Sequence, residues 1–227
     1  MGVIHKVENK GSIELKNFSI GSPKLMKYDG GKEVNTGIRK ETVEEAFLTK
    51  EGFHRDGVAD LRFHGGPDRA VCVYPYEHYS QWEQEFGTPL PAATFGENLT
   101  VLNMLEADVH IGDIFRLGEA VIQITQGRIP CSTITKRTNL PLLLNRMVET
   151  GFTGYLSRVL EEGTVRRDSK ITLIERHPKR VSILFANETY FHNPRDIEGI
   201  KKILDVSELA GEWKESLEKR LNKLTSL

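Results

Sequence analysis

The residue types able to do chemistry gather in four short segments. In Gln126-Gly127-Arg128-Ile129-Pro130-Cys131, a cysteine and an arginine follow directly on an apolar run, residues 120–125. A guanidinium beside a thiol at a strand end favours the thiolate, the form that ligates soft metals. The same spacing also suits a buried, inert cysteine. Cys72 lies inside the apolar run Ala70-Val71-Cys72-Val73-Tyr74 and reads as a small packing residue.

The second segment is His64-Gly65-Gly66-Pro67-Asp68-Arg69, which leads into that run. Its glycines let a ligand approach the backbone, and His64 supplies a donor or acceptor that titrates near neutral pH. The plainer reading is a turn whose histidine caps a strand. The third, Phe95-Gly96-Glu97-Asn98-Leu99, sets a carboxylate and an amide at a strand start, suited to the polar edge of a heterocycle or to an ordinary turn. The fourth, Asn35-Thr36-Gly37-Ile38-Arg39-Lys40, offers a hydroxyl, a glycine and two cations to a phosphate, or simply a solvated turn.

The elements that must position these segments are short. Apolar or alternating runs at 13–20, 70–74, 109–111, 114–117, 120–125 and 170–174, broken by glycine, predict an antiparallel barrel or sandwich. Two helices interrupt it: one opens at Pro75 and closes before Gly87, and the other runs from Asn139-Leu140-Pro141 to Gly151. After Arg176 the pattern turns helical, so the boundary falls between a domain of residues 1–176 and a three-helix module of residues 177–227. Its helices are expected over 181–190, from an Asn193-Pro194 start to Leu204, and over 207–224, where Leu209, Trp213, Leu217, Leu221 and Leu224 form an apolar stripe.

Composition narrows the function. With 31 basic and 32 acidic side chains, no field steers a nucleic-acid polymer or an anionic membrane. No apolar run reaches the ~18 residues of a membrane span, the start lacks a signal-peptide layout, and two cysteines suit a reducing compartment, so a cytoplasmic protein is expected. No Walker loop, dinucleotide fingerprint, His-Glu-x-x-His or Gly-x-Ser-x-Gly occurs.

Thr36-Gly37-Ile38-x-Lys40, His64-Gly65-Gly66, the stretch 74–82, Phe95-Gly96-Glu97-Asn98-Leu99 and Arg128-x-Pro130-Cys131, in this order, resemble the MOSC domain of molybdenum-cofactor proteins. The stretch from Thr153-Gly154-Tyr155 to Gly163 and the helical tail resemble its YiiM-like branch. Asp168-Ser169 departs from the Gly-Asp turn usual before the last strand. The resemblance implies a mainly β fold with α elements, a MOSC-type β-barrel followed by a three-helix C-terminal module. It implies the molybdopterin form of the molybdenum cofactor, with Cys131 as thiolate ligand to the metal. Arg128, Thr36, Gly37, Ile38 and Lys40 would face the pterin or its phosphate, and Gly65, Glu97 and Asn98 would lie close to it or to the substrate. His64 would sit near the open face of the metal as proton donor.

The activity so implied is reduction of N-hydroxylated compounds, such as N-hydroxylated nucleobases and amidoximes. N–OH becomes N–H and water at the cost of two electrons and two protons, the electrons coming from a separate redox protein. Two other readings use the same residues: a sulfur carrier with a persulfide on Cys131, and a cofactor-binding adaptor acting through its helical tail.

Overall fold

The computed structural model describes residues 11–60 and 65–226. Among them the strands are β1 (Glu14–Ile20), β2 (Lys24–Tyr28), β3 (Lys32–Thr36), β4 (Glu41–Thr42), β5 (Glu45–Thr49), β6 (Gly52–Phe53), β7 (Val71–Pro75), β8 (Leu99–Leu102), β9 (Ile114–Leu117), β10 (Ala120–Gly127), β11 (Tyr155–Glu161), β12 (Gly163–Arg166) and β13 (Ile171–Glu175). The helices are α1 (Glu77–Phe86), α2 (Thr133–Thr138), α3 (Leu143–Thr150), α4 (Ile183–Phe191), α5 (Ile197–Leu204) and α6 (Gly211–Thr225).

Eight strands form a curled sheet in the order β13-β9-β10-β11-β7-β8-β1-β4, accompanied by a β12-β5-β6 sheet and the β2-β3 hairpin. The result is the expected mainly β barrel with a C-terminal helical module. Its pairings are antiparallel apart from β7 with β8, where Val73 lies opposite Leu99. Parallel neighbours need a long crossover, and α1 with the loop after it supplies one. Every residue of β10 is buried. Barrel core and C-terminal helices both pack against this strand, which explains its continuous rather than alternating apolar run.

Four sequence expectations shift. Residues 109–111 make only an isolated bridge, His110 with Ser182, because the Asp113 carboxylate accepts from the His110 and His177 amides at 2.8 and 3.0 Å and bends the chain. The helix expected from Asn139 begins at Leu143, since Asn139 is the left-handed cap, φ 55°, that ends the unforeseen helix α2. The cap of α5 is Asp196, whose carboxylate accepts from Gly199 N at 3.0 Å, and not Asn193. The last helix starts at Gly211, four residues later than its apolar stripe suggested.

The apolar stripe of α6 closes the fold. Leu209, Trp213 and Leu217 join Ile183, Ala186, Ile200 and Ile203 in one cluster with the barrel residues Phe18, Leu99, Phe115, Ile122 and Ile124, so chain on both sides of position 176 shares one core. A second cluster is Met26, Ile38, Tyr74, Tyr79, Trp82, Phe95, Ile134, Leu143 and Met147. No helix among the described residues is long and apolar enough to cross a membrane.

Candidate functional site

The site forms where β10 ends. Arg128 N donates to Gly154 O at 3.0 Å, continuing the pairing with β11 for one more residue. Pro130 then stops the strand, and Cys131 O accepts from Ile134 N at 3.0 Å in the turn that starts α2. Cys131 is half-buried. The Arg128 side chain is half-buried too, and its Nη1 is fully enclosed with no hydrogen-bonding partner among the described residues. Burial alone would weaken this guanidinium's hold on its proton, but Cys72, Cys131, Glu97 and Tyr74 around it raise its pKa above the ordinary value. The arginine therefore stays cationic, between two thiols.

Those thiols differ. Burial pushes Cys72 up from the ordinary thiol range, against the opposing pull of Arg128 and Lys40, so it stays protonated. Its backbone N donates to Asn98 Oδ1 at 3.0 Å.

The third and fourth segments meet each other. Asn98 Nδ2 donates to Asp56 Oδ2 at 2.8 Å and to Ser19 O at 3.3 Å. Asp56 also accepts from Gly21 N at 2.8 Å and pairs with Lys40, whose side chain is only 6% exposed. Lys40 thus has its countercharge inside the protein. Thr36 Oγ1 accepts from Ile38 N at 3.1 Å. Gly37 is required by backbone proximity, since an added Cβ would lie 2.0 Å from Gly57 O. Ile38 is buried against Gly96.

Glu97 is wholly buried and takes three donors: Tyr79 Oη at 2.5 Å, Thr100 Oγ1 at 2.9 Å and Phe95 N at 3.1 Å. Burial, followed by Glu97 itself, raises the Tyr79 phenol well above its usual range. Glu97 and Asn98 are braces: most of their bonding capacity is met by protein groups. Gly65 O accepts from Arg69 Nε at 2.7 Å. His64 lies outside the described residues.

Sequence reasoning missed Arg137. It projects from α2, donates to Ile38 O, and has its pKa lowered by burial, with Glu97 and Tyr79 opposing and Arg39 adding to the fall. Arg137 therefore ties α2, which follows Cys131, to the Thr36–Lys40 segment. The one available signal was Asn139 as a helix stop, with Thr133 to Thr138 too short and polar to show a period. Together these segments gather Arg128 and Arg137, both at least half-buried, near a half-buried cysteine, a set of groups able to hold an anion and to offer one soft ligand.

Comparison with known proteins identifies the family. Residues 60–172 match the MOSC domain, and residues 181–224 match the YiiM-like 3-alpha helix domain. YflK of Bacillus subtilis (strain 168) is 43% identical over 92% of this chain and 94% of its own. A protein named Reductase from Gibberella moniliformis (strain M3125 / FGSC 7600) is 37% identical over 68% of this chain, which spans 28% of that larger protein. Among solved structures, YiiM from Geobacillus stearothermophilus superposes with a TM-score of 0.78 at 32% identity, covering 92% of this chain and 99% of that one. With both domains matched in order and full-length relatives above 30% identity, the chain belongs to the MOSC-domain family, in its YiiM-like branch.

Proposed function

We propose that the protein is a molybdenum-cofactor-dependent reductase of N-hydroxylated small molecules. The observation that carries this reading is the enclosed Arg128 Nη1, without a partner among the described residues, near Cys131 at the end of β10. A buried cationic nitrogen without an acceptor is costly unless an anion completes it. The donor set fits the molybdenum cofactor: among the described residues no three His, Cys, Asp or Glu side chains come together to hold a bare metal ion, so a metal at Cys131 must arrive with ligands of its own. When bound, the cofactor supplies the two-electron removal of oxygen from nitrogen.

The chain's own groups do the rest. Cys131 would give the protein's thiolate to the metal, and Arg128 would complete its hydrogen bonding on the cofactor's anionic part. Arg137 and Arg39 add positive charge on the side of the Thr36–Lys40 segment, which would hold a phosphate. Glu97, Asn98, Asp56 and Lys40 fix the loops that border these cations. His64 would supply the protons that leave with oxygen as water, imidazole being a common general acid. Electrons come from a separate redox protein, and a chain with only two cysteines suits the cytoplasm. The fungal relative's name, Reductase, supports the class of chemistry.

The test is molybdenum per chain by elemental analysis, on protein made anaerobically in a cofactor-producing host, for wild type and Cys131→Ala. Near-stoichiometric metal in the wild type and little in the variant is the expected result, followed by turnover of an N-hydroxylated purine with an artificial electron donor. Metal-free wild type carrying sulfane sulfur on Cys131 would replace the reductase with a sulfur carrier.

A further inference from the structure

The glycine-rich loop before β7 is held by its own barrel and by the C-terminal module together. Asp68 Oδ2 accepts from Gly211 N at 3.1 Å, at the first residue of α6. Helix α6 has no side-chain cap of its own, its N-cap position being Ala210, so a barrel carboxylate caps a module helix. One residue on, Arg69 Nη1 pairs with Glu212 Oε2 at 2.6 Å, while Arg69 Nε holds Gly65 O at 2.7 Å. The same guanidinium thus joins the glycine pair to α6.

A second bridge reinforces the first. Arg158 on β11 pairs with Asp68 Oδ1 at 2.8 Å and donates to Glu208 O, just before α6, at 3.0 Å. Thr125 of β10 donates to Asp68 O at 2.7 Å, and Thr125 O accepts from Ala210 N at 3.2 Å. Two residues further, the module reaches the site strand itself. A Cβ on Gly127 would lie 1.9 Å from Asn187 Oδ1 of α4 and 3.1 Å from the Trp213 ring, so glycine before Arg128 is what lets the module seat there.

We infer that the three-helix module is a positioning element for the site, with Asp68, Arg69 and Glu212 as the latch through which the start of α6 sets the conformation of the Gly65–Arg69 loop. Relevance to cofactor binding rests on the reductase reading; the latch itself does not. The surface ion pair alone is weak, but a carboxylate that caps a helix and pairs with Arg158 combines several charge-assisted bonds. Asp68 and Glu212 are positioning residues.

Hydrogen–deuterium exchange by mass spectrometry on the full-length, cofactor-free protein reads the latch. Asp68→Ala and Glu212→Gln should exchange amides 65–71 about five- to tenfold faster than wild type, well beyond any rise in β10 amides, with Tm little changed in Glu212→Gln. Asp68→Asn, which keeps a capping oxygen but loses the charge, should fall between. Unchanged exchange at 65–71, or an equal rise in β10, overturns the latch. The same variants, loaded in the cofactor-producing host, should retain several-fold less molybdenum; full retention despite faster exchange overturns the loop's part in the site. Failure of the reductase reading shows separately, as wild type without metal and an exchange pattern still intact.

Discussion

The two hydrophobic clusters are built differently. The larger one joins barrel to helices and is dominated by aliphatic side chains, with Phe115, Tyr155 and Trp213 among its large members. Its Trp213 Nε1 is buried with no partner among the described residues. The smaller cluster lies under the site and is aromatic, with each polar handle bonded. Trp82 Nε1 donates to Tyr74 Oη at 2.8 Å, Tyr74 Oη to Phe152 O at 3.1 Å, and Tyr79 Oη to Glu97 at 2.5 Å. Tyr74 stacks on Phe95 with centroids 4.0 Å apart. Apolar area is non-directional and stabilises a fold; hydrogen-bonded aromatics fix orientation. One cluster keeps the chain folded, and the other aims the loops that bear Ile38, Glu97 and Cys131.

This contrast can be broken experimentally. Trp213→Ala empties the centre of the larger cluster and should cost about 3–5 kcal/mol in urea unfolding, the largest effect of the set. Tyr79→Phe should cost only about 1–2 kcal/mol, because Thr100 and Phe95 N still serve Glu97, yet it should lower molybdenum retention more than its stability loss implies. Equal stability losses from the two variants, with retention untouched by Tyr79→Phe, would erase the distinction.

The smallest effect concerns Cys72, whose folded-state pKa is raised by burial. A raised pKa favours the neutral thiol, so its stabilising contribution is complete below the ordinary thiol range and is lost as pH climbs through and above it. Peptide-resolved alkylation at mildly alkaline pH should label Cys72 at least about tenfold slower in the folded chain than in urea. Arg128→Met should slow it further, since Arg128 opposes the rise. Faster labelling in that variant would mean that the arginine shields the thiol rather than charging its surroundings.

Much of the site was legible because residue type and position along a strand are local properties. Cys131 and Arg128 announce themselves by following an apolar run, and the terminal stripe of Leu209, Trp213 and Leu217 shows its period plainly. The hairpin β2-β3 was not legible because it is mostly exposed, with Met26 the one buried residue of β2; β5 does alternate, but its exposed face carries the apolar Phe47, which hides the period in the sequence. Arg137 escaped because α2 spans six residues, less than two turns.

The sequence by itself determined which side chains could ligate, carry charge or cap, and which segments bury an apolar face, since both follow from composition and spacing. Only the tertiary structure decided which charge is spent. Lys40 finds Asp56, sixteen residues away, and Asn98 holds Asp56 in place, whereas Arg128 is enclosed near Cys131 with one nitrogen unmatched among the described residues. Partner choice is a matter of distance and desolvation, and neither exists until distant strands are brought together.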